Sequence, residues 1–428
     1  MNAPTGTSHP VIRTRRVLDN GLVVLVLERR HLPIVSATLL LRAGVASEPE
    51  DHPGSSFFVS HLLPLGTRKR SAVALAEDVD SLGATLSAGC DADYATVEVT
   101  GLSTTACTLL DILAEVVLEA TFLEEEVERK RTQILGILER RKDDYADVVR
   151  NRFFETIYGS HPYRRTKEGT PESVKQMTRD DLLFFHGDQY VPDGAVLALV
   201  GDVDAGESLD WVEDRFDAWR ARDREPVPWP AVPQATERRI VTVQQELTQA
   251  YIRMGNVGIP RNHPDYHAAV VMNYILGGSG FGSRLMRNLR EERGLAYGVF
   301  SNFWTRKDPG YFFVSTQTGT MTMNEAIAEI LAEIDRFLDS GATEEELTRA
   351  KKYFTGSLPL TLETNDQLAQ RLLEQEFYGL PDEFWLRDIE RMQTVTAAEV
   401  LDVARRHIHP ERFAVVVLGD FREHALHL

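Results

Sequence analysis

Thr178-Arg-Asp-Asp181-Leu182, followed downstream by Pro192 and Val200-Gly201-Asp202, returns later in the chain as Thr396-Ala-Ala-Glu399-Val400, Pro410 and Leu418-Gly419-Asp420. The offset is constant: 399 − 181, 410 − 192 and 419 − 201 all equal 218. In each copy a threonine stands three residues before an acid, the pattern of a helix-start capping box, with Asp181 the weaker partner and Glu399 the stronger. Each helix leads into a continuous apolar run, Ala195 to Val200 and Phe413 to Leu418, as expected of strands covered on both faces. The repeat predicts a duplicated architecture.

Working outward, Leu123 to Lys142 carries Val127, Ile134, Leu135 and Leu138 on one stripe, with Glu124 to Glu126 in the first turn and basic residues near the end, and so reads as an amphipathic helix. A second covers Glu325 to Leu338. Period-two alternation marks strands at Thr96 to Thr100 and Tyr311 to Ser315, and the strands run largely consecutively in each half. The fold class is therefore α+β, duplicated. Between the halves, Arg222 to Arg239 holds Pro226, Pro228, Pro230 and Pro233 with no periodicity, an extended and stiff linker. The expected division is 12–222, a linker at 223–236, and 237–428.

Composition narrows the function. Among 428 residues, 65 acids against 47 Lys and Arg give a net charge of −18, which opposes attraction to nucleic acid or anionic membrane. The 43 % hydrophobic content suits a folded globular chain, and no stretch is apolar for long enough to span a bilayer. Cys90 and Cys107 are too few for a disulfide framework or a thiolate zinc site, and they suit a reducing compartment. Met1 to Val11 is interrupted by Pro4, Gly6 and Pro10 where a secretory signal needs a continuous apolar core, so a cytoplasmic location is expected.

Several local patterns invite chemistry and have plainer readings. Gly277-Gly278-Ser279-Gly280-Phe281-Gly282 follows a helical apolar pattern and lacks the lysine or acid of a nucleotide loop, so it reads as a turn between helices. His263-Pro264-Asp265-Tyr266-His267 has ligand-like spacing, yet Pro264 places His263 at or before a helix start and off the face of His267. His407 and His409 flank a helix-to-strand turn and make no site alone. No Ser/His/Asp or Cys/His set suggests itself.

Gly54-Ser-Ser-Phe57-Phe-Val-Ser60-His61-Leu-Leu-Pro-Leu-Gly66-Thr67 resembles the pitrilysin-type zinc metallopeptidases, the inverzincins, which include insulin-degrading enzyme and mitochondrial processing peptidase. Their stretch runs G-x-x-H-x-x-E-H and then G-T. The likeness continues through Leu82-Gly83-Ala84, Asp93-Tyr94-Ala95-Thr96, His161-Pro162-Tyr163 and Val200-Gly201-Asp202, and into the second half. It implies two homologous α/β-roll domains, each a mainly antiparallel sheet packed with helices, forming one half of a clamshell. In the family two histidines and a glutamate on a later helix hold zinc, and a glutamate between the histidines activates water. Here those positions read Phe57, Ser60, His61 and, counted from Glu128-Arg-Lys-Arg131, Ile137. One of the four survives, and no zinc is expected on this chain. Glu139 and Glu128 lie about 200° and 180° round the helix from Ile137, and His52 stands in a loop, so none rescues the site.

In Ser283-Arg-Leu-Met-Arg-Asn-Leu-Arg290-Glu-Glu-Arg-Gly294, Ser283 reads as the cap of a helix that Gly294 ends, and Leu295 to Phe300 alternates as a strand. A tight reversal at Gly294 brings Arg290 and Tyr297 to one spot. By local reading alone these are an ion-paired arginine and a half-buried tyrosine. The family, however, carries an arginine and a tyrosine seven residues apart at this junction, which hold substrate carbonyls and donate to the oxyanion. The resemblance therefore implies the zinc-motif-lacking subunit of the short heterodimeric bacterial type: a peptidase inactive alone, completing with Arg290 and Tyr297 the site of a homologous, zinc-bearing partner that acts on peptide or unfolded polypeptide. The alternative is a catalytically inactive scaffold or peptide-binding protein of the same fold.

Overall fold

A computed structural model describes residues 13–220, 229–381, 384–422 and 425–427. The signal-peptide reading of Met1 to Val11, and Pro226 and Pro228 of the linker, lie outside them.

Eleven strands in the described residues form two sheets. They are β1 (Arg13–Val17), β2 (Val23–Glu28), β3 (Ile34–Leu41), β4 (Thr85–Cys90), β5 (Ala95–Leu102), β6 (Val196–Gly201), β7 (Arg239–Gln244), β8 (Gln249–Val257), β9 (Ala296–Trp304), β10 (Tyr311–Gly319) and β11 (Ala414–Gly419). The first sheet has the order β1-β2-β6-β3-β5-β4 and the second β7-β11-β8-β10-β9. In each sheet one parallel pair, β2 with β6 or β7 with β11, adjoins a run of antiparallel pairs. The repeat is visible in the bounds: β6 and β11 are offset by 218 at both ends, from 196 to 414 and from 201 to 419. Both capping boxes form, with Thr178 accepting from the Asp181 amide at 3.2 Å and Thr396 from the Glu399 amide at 3.2 Å.

Every residue of β6 and β11 is buried, and strands of that kind need cover on both faces. Part of that cover comes from the other half of the chain. The helix Tyr145–Tyr158 packs on β8 and β11, and the helix Asn365–Phe377 packs on β6 and β3. Accordingly the two compact units are not the contiguous halves expected at 12–222 and 237–428. One comprises Met1–Gly136, Lys167–Pro226 and Leu360–Leu380, and the other Ile137–Thr166, Val227–Pro359 and Pro381–Leu428. The donated helices obey the repeat as well, since 145–158 shifted by 218 is 363–376, almost the span of Asn365–Phe377.

The physical reason lies in the side chains. Leu368, Ala369, Leu372 and Leu373 are buried on the first sheet, and the Asn365 side-chain amide donates to the Ile34 carbonyl of β3 at 3.1 Å. On the second sheet Phe153, Phe154 and Tyr158 converge on Tyr311, with Phe154 at a ring separation of 4.9 Å. Arg253 of β8 is also buried there, its guanidinium 3.9 Å from the Phe313 ring centroid, a cation–π contact worth most when water is excluded.

Candidate functional site

In the first unit the helix Ser55–Leu62 carries Phe57, Ser60 and His61. Phe57 and Ser60 are buried and His61 is half-buried. The Ser60 hydroxyl donates to the Phe57 carbonyl at 3.0 Å, and His61 Nδ1 lies 2.8 Å from the same oxygen, so that nitrogen carries the proton. The imidazole packs on the Phe57 ring at 4.0 Å. Burial depresses the His61 pKa, and the charges of Lys130 and Lys167 act in the same direction against the Phe57 carbonyl; Lys167 Nζ itself stands 5.9 Å from the Phe57 ring centroid. Ile137 is half-buried on the helix Glu124–Arg141. Glu128 is spent on Arg131, and Glu139 on Lys142 at 2.6 Å. Among the described residues, His61 belongs to no group of three metal-ligand side chains. Two of the four positions have no donor atom, the serine hydroxyl is engaged, and the charges felt by His61 are those of Lys130 and Lys167 opposed by the buried Glu168. These residues do not fit zinc.

In the second unit the chain runs from β8 through the helix Tyr266–Asn273 into a π-helical turn, Tyr274–Gly278, then a 3-10 turn, Gly280–Gly282. Gly277 is required by close approach: a Cβ there would stand 2.4 Å from the Ser301 hydroxyl of β9 and 2.6 Å from its amide nitrogen. The glycine run is thus a packed turn, as its context predicts. Ser283 caps the next helix, which begins at Arg284 and widens into a second π-helical turn, Arg287–Glu292. Turns of this kind are uncommon and favour functional segments. Gly294 takes a left-handed φ of 64° and reverses the chain into β9.

Arg290 sits in that second π turn and Tyr297 on β9, which is the edge strand of its sheet. Opposite Thr316 and Thr318, β9 holds one extra residue between Ala296 and Val299, a bulge that re-aims the tyrosine. The Arg290 guanidinium lies 4.5 Å from the Tyr297 ring centroid and 4.7 Å from that of Phe281. The structure therefore brings Arg290 and Tyr297 together and adds Phe281, which the sequence reading passed over. Tyr297 and Phe281 are 85 % and 66 % exposed. Two rings so exposed contribute little to the core, and the half-buried Arg290 guanidinium lies within cation–π distance of both.

The histidines are also sorted. His267 is buried with Nε2 2.7 Å from Asp388 Oδ1, a structural pair. His407 meets an acid distant in sequence: its Nε2 is 2.7 Å from Asp265 Oδ2.

Residues 23–170 match the family described as insulinase, peptidase family M16, and residues 176–354 match the peptidase M16 inactive domain. An uncharacterized zinc protease of Mycobacterium tuberculosis is 32 % identical over 432 residues, spanning 97 % of this chain and 95 % of that protein. The chain belongs to peptidase family M16. An uncharacterized zinc protease of Streptomyces coelicolor is 29 % identical across 96 % of this chain and 90 % of its own length. Among solved structures, a peptidase M16 inactive domain from Pseudomonas fluorescens superposes with a TM-score of 0.90 at 27 % identity, covering 96 % of this chain and 98 % of that one. A Helicobacter pylori protease shares the fold at a TM-score of 0.87 and 21 % identity, over 95 % of this chain and 99 % of its own. Two sheets packed with helices are thus the M16 architecture, as the motif pattern implied. Among the described residues no helix is long and apolar enough to cross a membrane.

Proposed function

We propose that this M16 chain is the zinc-free subunit of a heterodimeric peptidase, supplying Arg290 and Tyr297 to a site whose metal and water come from a homologous partner. Arg290 binds backbone carbonyls of an extended peptide, and the Tyr297 phenol donates to the oxyanion of the tetrahedral intermediate. The partner's zinc supplies the activated water; this chain holds and polarises the substrate. Phe281 offers the guanidinium a second aromatic contact besides Tyr297. The observation that carries this reading is the asymmetry between the two units. Two motif positions are apolar and the other two are engaged with the Phe57 carbonyl, whereas the half-buried arginine of the π turn meets the exposed tyrosine of the edge strand. The name "zinc protease" borne by relatives such as that of Mycobacterium tuberculosis agrees with a peptidase role. The free thiols Cys90 and Cys107 agree with a reducing, cytoplasmic setting.

The test mixes the purified chain with a zinc-motif homologue from the same source and follows cleavage of a peptide. Neither chain alone should act. Tyr297→Phe should leave the complex intact and lower turnover by about 10²–10³, the cost of one oxyanion donor. Full activity in that variant rejects the assigned role. Peptide binding by the isolated chain, with no cleavage in any mixture, replaces this reading with the inactive scaffold.

A further inference from the structure

A second cluster of ligand-type side chains lies in the second unit, on residues the function above leaves unused. His263 and Asp265 occupy the connection between β8 and the helix Tyr266–Asn273, and His407 ends the helix Ala397–His407. One ligand atom from each lies within 4.8 Å of the others, and this is the group of three such residues found among the described residues. Asp265 Oδ2 is 2.7 Å from His407 Nε2 and 3.7 Å from His263 Nδ1, and the two imidazoles meet edge to face at 5.3 Å. The surroundings hold them in place. The Asp265 amide donates to His263 Nδ1 at 3.1 Å, and the Asn256 side-chain amide donates to the His407 carbonyl at 2.9 Å. All three are half-buried.

We propose that His263 Nδ1, His407 Nε2 and Asp265 Oδ2 form a site for a divalent transition metal of the zinc and nickel class, distinct from the degenerate motif at Phe57, Ser60 and His61. Two imidazoles with one carboxylate favour such ions over calcium or magnesium, which take oxygen donors, and three protein ligands leave a position for water. The geometry is close to what is needed. Bonds of about 2.0–2.1 Å in a tetrahedral shell set ligand atoms about 3.3 Å apart. The 2.7 Å contact has to open and the 3.7 Å contact to close by about half an ångström, while the two imidazole nitrogens, within 4.8 Å of each other, draw together.

Two groups compete with the ion. Arg406 Nη1 stands 2.9 Å from Asp265 Oδ2, but the guanidinium also reaches Asp402 Oδ2 at 2.8 Å and is half exposed, so it can retreat to that acid. The Asp265 amide must exchange His263 Nδ1 for water. Both costs place the affinity below that of structural zinc sites whose ligands are already free. A bound ion would fasten the end of the helix Ala397–His407 to the start of Tyr266–Asn273, the helix that leads toward Arg290.

The test uses the full chain, stripped of metal with a chelator and titrated with zinc chloride and with nickel chloride at neutral pH by calorimetry. One ion per chain is expected. His263→Ala and His407→Ala should each weaken binding by at least roughly tenfold. Arg406→Ala should tighten it, by up to roughly fivefold, because it removes an exposed competing cation. A network that is merely structural would not produce that gain. His61→Ala should change nothing. Absence of binding, unchanged affinity in both histidine variants, weaker affinity in Arg406→Ala, or loss confined to His61→Ala would each overturn the proposal. Metal-free melting curves show whether a variant is folded, and Arg406→Ala decides the matter if a histidine variant is not. None of these readouts involves a partner chain or peptide cleavage, so the outcome is independent of the subunit reading.

Discussion

Replacing Glu346 by glutamine should destabilise the second unit by about 3 kcal/mol. Glu346 is buried with Arg284: guanidinium Nε donates to Oε1 at 2.8 Å and Nη2 to Oε2 at 2.6 Å, while Nη2 also donates to the Gly341 carbonyl at 2.7 Å. The carboxylate further accepts from the Thr343 amide at 2.9 Å, closing the capping box of the helix Glu344–Ser357. Burial by itself raises this carboxyl's pKa, but the Arg284 fork and the Thr343 amide outweigh it and hold the group at about 2, against 4.5 unperturbed. At about 1.4 kcal/mol per unit the difference is worth about 3 kcal/mol, similar to the cost of leaving one member of a buried pair uncompensated. For a unit of this size that is about 6–12 °C in Tm. The sign is that of a depressed carboxylate. The contribution is complete above about pH 4.5, fades as pH falls toward about 2, and is roughly halved by pH 3. Urea unfolding of wild type and Glu346→Gln across that range gives the measurement, and a cycle with Arg284→Met isolates the pair. A gap below about 1 kcal/mol at neutral pH, or one that does not narrow in acid, refutes the reasoning. Arg284 opens the helical segment that carries Arg290, so the same substitution should also lower turnover in the two-chain assay.

Three further outcomes follow from particular contacts. Phe57→Ala should cost about 3 kcal/mol in urea unfolding, because the ring fills a buried position and little can collapse into it, and Phe57→His should acquire no stoichiometric zinc by metal analysis. His186 is held neutral, its pKa pushed down to about 4 by burial despite the Val117 carbonyl 2.9 Å away. Wild type should therefore lose about 2 kcal/mol of stability as pH falls from 6.5 to 4, and His186→Gln should flatten that slope. Gly277→Ala drives a methyl group into Ser301 and so displaces β9; peptide cleavage in the two-chain mixture should fall while the complex, followed by native mass spectrometry, still assembles.

Much of the fold was legible because the signals were local and then repeated. The Thr178 and Thr396 caps and the apolar runs ending at Gly201 and Gly419 are each short-range patterns, and their common offset made the duplication visible. The exchange of helices was not legible. The stripe on Asn365–Phe377 specifies a buried face but not which sheet it meets. At the candidate site, the seven-residue spacing of Arg290 and Tyr297 was readable. The π turns were not, because widening a helical turn changes no residue pattern, and neither was the bulge in β9. Phe281 escaped notice inside a glycine run, although a lone aromatic among five small residues is itself a signal. The pairing of His407 with Asp265 joins positions 142 apart and depends wholly on tertiary structure.

The reciprocal loan of Tyr145–Tyr158 and Asn365–Phe377 has a consequence for how such a chain is made and taken apart. As the polypeptide leaves the ribosome, the first sheet lacks the helix Asn365–Phe377 until residues beyond 360 have been synthesised, so the part of β3 and β6 that this helix buries must wait uncovered long after the strands themselves exist. A protease nick near residue 225 would sever the backbone without freeing either fragment, since each would still be gripping a piece of the other. Two separately expressed halves should accordingly be insoluble alone yet recover a native assembly when produced together, a form of complementation that ordinary beads-on-a-string proteins do not show.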